Sequence, residues 1–461
     1  MLYLLLFALA FSSESNFEPL QVGKTPAQWK SRIIYQVLTD RFERTDSRNA
    51  SCTLNQYCGG TYKGIMKHLD YIKNLGMNAI WISPIVENYP GSYHGYHATN
   101  FYALNTNFGT ESELRQFIAA CQAKDIWVMV DLVFNHVGPV GTTYTGINPF
   151  NKAEHYHDYC DITDYSNQTN VENCRIAGLP DLKQENTWVR DELIAWANWI
   201  VKTYNLDGLR IDTVKHVPTT FWKAYMNGMP NIYMVGEVFD GNPSYLSTYT
   251  KIMPGQLSYP MYYTLKSVYG DKQSCYQLRN RFSDYDNLAI DTTLLCGFVD
   301  NHDNNRWLNQ YRDWASLKNA LAFNLLSASI PLVYYGTEQG YTGGADPNNR
   351  EPLWYSGFNQ NHELYKFIQV AANARKNIPV SAEHIERYVD DVFYAFSRGE
   401  TLVCTTNQGS NMSSFTRQVT YLPFTSGTKV KELYSGQSQT VSSSGLKITM
   451  SKGMPQIWVK A

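Results

Sequence analysis

This chain has no surplus of basic charge. Its 39 Lys and Arg face 41 Asp and Glu, for a net charge of −2. Binding a polyanion requires cations to neutralise phosphates, so the composition argues against a nucleic-acid or anionic-membrane partner. Internal repeats are absent. So is any hydrophobic run long enough to cross a bilayer; the apolar stretch from Leu2 to Phe11 is too short. An uncharged core of that length, followed by the small residues Ser12 and Ser13, reads as a signal peptide over residues 1–15. It lacks the usual preceding Lys or Arg. The expected destination is outside the cell or the lumen of a digestive compartment, with no membrane anchor.

Cysteine usage fits an oxidising compartment. Of eight Cys, two pairs are close in polar, turn-rich sequence, and Cys52–Cys58 and Cys160–Cys174 are expected as disulfides. Cys121 lies in an apolar helical pattern and Cys404 in a strand pattern, so both are expected as buried thiols. A Cys275–Cys296 bridge stays open. Sequons stand at Asn49, Asn167 and Asn411.

Short apolar runs alternate with helical patterns from Ile33 to about Ile378. The runs are Ile33–Leu38, Asn78–Ile82, Ile126–Asp131, Leu206–Asp212, Ile232–Glu237, a weaker one near Gln256–Tyr259, Leu295–Val299 and Ile330–Tyr335. Apolar runs of this length read as parallel strands buried on both faces, and eight of them with helices between predict a (β/α)8 barrel over residues 22–378. Asp131 and Asp212 are 81 residues apart, too far for one strand–helix unit. An irregular inserted domain is therefore expected after the third strand, over residues 137–182. Beyond residue 379 short alternating runs separated by Gly and Ser predict a C-terminal antiparallel β-sandwich, residues 379–461.

Asp212, Glu237 and Asp303 each stand just past one of these runs. Acids at the C-terminal ends of successive barrel strands converge on the face where barrel active sites lie. A carboxylate nucleophile or base and a carboxylic proton donor are what glycoside hydrolysis needs. Taken singly, each acid could equally be a helix cap or a surface ion pair; three at strand ends point to a site. Arg210, two residues before Asp212, shares its side of the strand and favours its ionised form.

Four ordered segments carry a resemblance: Asp131-Leu132-Val133-Phe134-Asn135-His136, Gly208 to His216, Gly236-Glu237-Val238, and Phe298-Val299-Asp300-Asn301-His302-Asp303. The chain resembles the α-amylase family of glycoside hydrolases, most closely its secreted fungal type, from about Thr25 to Lys376. The resemblance implies Asp212 as nucleophile, Glu237 as general acid/base and Asp303 as transition-state stabiliser. It implies that His136, His302, Tyr96 and His94 meet the sugar beside the cleaved bond, with Lys215 and His216 on the leaving-group side and Asp346 and Arg350 further along the non-reducing side. It implies a Ca2+ held by Asn135 and Asp181 and by backbone carbonyls at Glu172 and His216, stapling the insertion to the barrel. The substrate it implies is an α-1,4-glucan such as starch, glycogen or a maltooligosaccharide, cut internally by a monomer. A related α-glucosidase or transglycosylase is the alternative. A catalytically inactive binding homologue would be expected to have lost these acids.

Overall fold

The computed structural model describes residues 23–461, so the expected signal peptide lies outside the described residues. The strands that build the catalytic body are β1 (Ile34–Gln36), β2 (Ala79–Ile82), β3 (Val86–Asn88), β4 (Ala98–Leu104), β5 (Trp127–Leu132), β6 (Gly208–Ile211), β7 (Tyr233–Gly236), β8 (Cys296–Gly297) and β9 (Ile330–Tyr334). All but β3 and β4 join one parallel sheet in the order β7-β6-β5-β2-β1-β9-β8. Along β1, β2, β6, β7 and β9 every residue is buried, as expected when both faces of a sheet are covered.

The strand expected near Gln256–Tyr259 is reduced to two single bridges, Gly236 with Gln256 and Leu257 with Cys296. They still close the ring: Leu257 N–H donates to Gly236 C=O and Cys296 N–H to Gln256 C=O, each at 2.8 Å. The strand stops early because Tyr259 and Pro260 already open the helix Tyr259–Leu265, where proline's fixed φ suits the first turn. Gly236 permits the close approach, since a Cβ there would meet Gln256 Oε1 at 2.4 Å.

Successive residues of each strand point to opposite faces. Ile34, Trp81, Met129, Val235, Phe298 and Leu332 fill the barrel interior. Their neighbours Tyr35, Ile80, Val130, Leu209 and Val333 pack outward against the helices. Helix Glu111–Ala123 shows why the helices form where they do: Thr110 and Glu113 make a capping box, and Leu114, Phe117, Ile118 and Cys121 form one buried stripe.

The segment between β5 and helix Thr187–Tyr204 is irregular, with one short α-helix (Gln168–Asn173), two single-turn 3-10 helices and the Cys160–Cys174 disulfide. The β3–β4 hairpin bridges to it through Asn100 and Asn148. That hairpin was not legible, because Tyr89-Pro90-Gly91-Ser92 interrupts it and its register shifts twice. Cys52–Cys58 is also formed, whereas Cys121, Cys275, Cys296 and Cys404 are free and buried, so no Cys275–Cys296 bridge exists.

The C-terminal module packs a six-stranded antiparallel sheet on a two-stranded one. Its strands are β10 (Ile385–Val389), β11 (Phe393–Arg398), β12 (Thr401–Thr406), β13 (Phe415–Val419), β14 (Lys429–Glu432), β15 (Ser438–Thr440), β16 (Leu446–Met450) and β17 (Gln456–Lys460). Phe393 and Ala395 of β11 enter the sandwich core with Val430, Ile448 and Trp458. The alternate residues Tyr394 and Phe396 join the barrel's outer core instead. Between the two modules lies helix Trp314–Leu326, buried from Ala315 to its end.

Candidate active site

The barrel's hydrogen-bond ladder runs on into the acids. Asp212 N–H donates to Leu132 C=O and Glu237 N–H to Ile211 C=O, both at 2.9 Å, so strand register itself sets the two carboxylates side by side. Arg210, fully buried, sits between them. Its Nη1 donates to Asp212 Oδ1 at 2.5 Å and to the two oxygens of Asp131 at 2.9 and 3.0 Å. Its Nη2 pairs with Glu237 Oε1 at 2.8 Å. One guanidinium therefore organises three carboxyl groups, a planar multi-donor role that lysine cannot copy.

Burial pushes the Glu237 carboxyl up to about 8, helped by the negative charges of Asp212 and Asp303 and opposed by Arg210. The protonated form of Glu237 is thus favoured. Its other oxygen accepts from Thr213 N–H at 3.2 Å, a donor aimed by the left-handed backbone at Thr213, φ 51°. A non-glycine residue held there is local strain at a functional site. Asp303 differs from its partners: its side chain is 35% exposed against 9% for Asp212 and Glu237. It follows β8 in a turn where Asn301 Oδ1 accepts its N–H, and Arg350 Nη2 approaches it at 3.5 Å.

Tyr96, His302 and Asp131 meet in one buried cluster. The Tyr96 hydroxyl lies 2.8 Å from Asp131 Oδ2 and 2.7 Å from His302 Nε2, and the two rings stack. His94 also stacks on Tyr96, its Nδ1 accepting Tyr96 N–H. His136 Nε2 lies 3.1 Å from the Tyr96 carbonyl, so it braces that loop. Asp346 and Arg350 form an ion pair at 3.0 Å and line a 490 Å³ depression with His94 and Tyr93. Lys215 and His216 stand apart from this group: Lys215 donates to Phe239 C=O and lies over the Tyr165 ring, and His216 meets that ring edge-on. Tyr165 and Phe239 are both exposed large aromatics.

Among the described residues no three His, Cys, Asp or Glu side chains gather as a metal centre. The expected calcium set has one carboxylate, one amide and two backbone carbonyls. Its side chains do fit a hard cation: Asn135 Oδ1 and Asp181 Oδ1 are both buried without a hydrogen-bond partner, on segments joined at the His136–Asp181 bridge. Gln168, on the short helix that also carries Glu172, donates to Lys215 C=O at 2.9 Å, which brings Glu172 and His216 into neighbouring segments. The Glu172 side chain itself accepts from Gln168.

Several participants escaped the sequence analysis. Asp131 ends a strand run as the other acids do, a signal that was present. Trp81 donates to Asp131 at 3.2 Å, and Gln36 lies 2.7 Å from His302 Nδ1. His157 sits between Asp181 (2.6 Å) and Glu185 (2.7 Å), where the two carboxylates overcome burial and raise it to about 9.

A parallel barrel whose C-terminal mouth holds two carboxyls side by side on one arginine, one of them pushed up by burial, is the arrangement of a glycoside hydrolase. Residues 36–402 match the alpha amylase catalytic domain and residues 386–461 match alpha-amylase domain C. An alpha-amylase of Schwanniomyces occidentalis is 38% identical, covering 98% of this chain and 96% of that protein. An alpha-amylase of Saccharomycopsis fibuligera is 39% identical, covering 94% and 92%. The solved alpha-amylase of Malbranchea cinnamomea superposes with a TM-score of 0.91 at 37% identity, over 95% of this chain and 97% of that one. The chain belongs to the α-amylase family of glycoside hydrolases.

Proposed function

We propose that this α-amylase family enzyme hydrolyses internal α-1,4-glucosidic bonds of starch, glycogen and maltooligosaccharides with retention of configuration. The observation that carries the reading is the shared guanidinium of Arg210, with Asp212 and Glu237 on either side and Glu237 raised to about 8. Retaining enzymes hold nucleophile and acid about 5–5.5 Å apart. Asp212 attacks the anomeric carbon while Glu237 passes its proton to the departing glycosidic oxygen. Glu237, now a carboxylate, takes a proton from water; that oxygen displaces Asp212 and returns the anomeric centre to its original configuration. Asp303 stabilises the positive charge that develops on the sugar ring in both steps.

Tyr96, His94, His136, His302, Asp346 and Arg350 bind the glycone side. Lys215, His216 and the exposed Tyr165 and Phe239 extend the leaving-group side, which supports cleavage within a chain over removal of single end units. Asn135, Asp181 and the Glu172 and His216 carbonyls would hold Ca2+, whose part is structural: it fixes the cleft wall and undergoes no chemistry. The enzyme acts as a monomer, outside the cell or in a digestive lumen; no described helix is long and apolar enough to cross a membrane. Product analysis on soluble starch tests the reading. Mixed maltooligosaccharides at the earliest times are expected; glucose alone from the outset would overturn it.

A further inference from the structure

We infer that Gln36 is a positioning residue: its side-chain amide fixes His302 in the Nε2-protonated tautomer and, through His302, orients Tyr96 and the Asp131–Arg210 pair that organises the acids. The inference rests on the reading above of Tyr96 and His302 as sugar-facing groups.

Four side chains from distant parts of the sequence form one line across the barrel mouth. Gln36, the last residue of β1, places Nε2 2.7 Å from His302 Nδ1. His302 Nε2 lies 2.7 Å from the Tyr96 hydroxyl, which lies 2.8 Å from Asp131 Oδ2. Gln36, His302 and Asp131 are each at most 1% exposed, so water does not stand in for a missing partner. Gln36 faces inward because it is two residues from Ile34, which fills the barrel interior.

The hydrogens follow by counting from the acid end. Asp131 receives N–H groups from Arg210 at both oxygens and from Trp81; burial raises its carboxyl to about 7, but the guanidinium on both oxygens holds it as the carboxylate, which offers only lone pairs. The single Tyr96 hydroxyl proton therefore goes to Asp131, and the phenol oxygen can only accept from His302. His302 Nε2 must then carry hydrogen. Its other neighbour, Asp303 Oδ2 at 3.3 Å, is also an acceptor and makes the same demand. Burial, with Arg350 and Arg210 nearby, keeps the imidazole neutral, so one ring hydrogen is all it has. Nδ1 is left as a lone pair, and Gln36 must present its NH2 rather than its oxygen. Gln36 Oε1 is accordingly the buried atom without a partner. With the tautomer reversed, Nδ1–H would oppose the Gln36 N–H, and the Nε2 lone pair would compete with Asp131 for the tyrosine proton and repel Asp303.

Nitrogen NMR of the imidazole rings in histidine-labelled enzyme reads the tautomer directly, with His302 assigned by comparison with His302→Gln. Wild type is expected to show Nε2 protonated and Nδ1 bare. Gln36→Glu replaces the donor by an acceptor and is expected to draw hydrogen to Nδ1. Its kcat should fall about tenfold, the low end of what is lost when the partner orienting a metal-ligating imidazole is removed, with KM for maltooligosaccharides little changed. Gln36→Met keeps the bulk without a donor and is expected to give mixed tautomers and an intermediate kcat. Wild-type His302 protonated at Nδ1 would overturn the inference, whatever the Gln36 variants do. So would a folded Gln36→Glu enzyme that keeps the Nε2 tautomer and the wild-type kcat. Either result leaves the starch-cleavage reading standing, since that is decided by products.

Discussion

Replacing Arg210 by lysine keeps the charge and removes the geometry. Arg210 hydrogen-bonds Asp131 twice and Asp212 at 2.5 Å, pairs by charge with Glu237 at 2.8 Å, and is fully buried. An ammonium is a single point with a shorter reach, so at least one of the three carboxyls loses its cation. A hydrogen bond to a charged group is worth about 1.5–3 kcal/mol, and about 1.4 kcal/mol corresponds to one unit of pKa. The carboxyl that loses its partner should therefore become harder to ionise by about one to two units. Glu237, already raised to about 8 against the opposing charge of Arg210, rises further when its cation is lost, so the alkaline limb of kcat/KM moves up. At the wild-type optimum kcat/KM should drop about 10- to 100-fold, since each 1.4 kcal/mol is tenfold in rate. The assay is a pH series of initial rates on a defined maltooligosaccharide, with folding verified by circular dichroism. A folded Arg210→Lys enzyme with its alkaline limb unmoved and kcat/KM within about threefold of wild type would refute the organising role of the guanidinium.

The acids themselves separate by substrate. Asp212→Asn should abolish nearly all turnover while maltooligosaccharide binding, followed by calorimetry, persists, because the covalent intermediate cannot form. Glu237→Gln should disable starch cleavage yet partly spare the glycosylation step with activated leaving groups, measured by burst kinetics. Glu237 also predicts a stability slope. Its pKa is raised on folding, so its contribution is complete below about 4.5 and declines as pH rises towards about 8; melting temperatures of wild type and Glu237→Gln should converge on the acid side and diverge above it. Chelation should lower thermal stability and activity together, with Ca2+ restoring both, and Asp181→Ala should behave like chelated wild type. Metal-free protein, confirmed by elemental analysis, with unchanged melting and rate would remove the calcium staple.

The barrel was readable because parallel strands covered on both faces leave near-continuous apolar runs, and because each of these acids closes such a run. The sixth strand faded for a local reason, since Pro260 starts a helix where pairing would have continued. The β3–β4 hairpin was hidden by its Pro-Gly turn and shifted register. Within the site, Arg210 and Asp212 were legible as strand neighbours. Gln36 was not: it reads as one polar residue in an apolar run, and its partner His302 is 266 residues away. His157 reaches Asp181 across 24 residues of irregular chain, where no periodicity announces which side chains will meet.

Strand β11 and helix Trp314–Leu326 have a consequence for how the enzyme comes apart. Alternate residues of β11 belong to different cores, and Phe323 of the helix packs on Phe396 at 5.4 Å between ring centroids. Trimming the chain after the barrel would strip the cover from a helix that is buried nearly all round, leaving a sticky apolar wall. The C-terminal sandwich is thus less an appendage than the last stave of the catalytic body. Barrel and sandwich are built to melt in one transition, and a shortened catalytic fragment is built to aggregate.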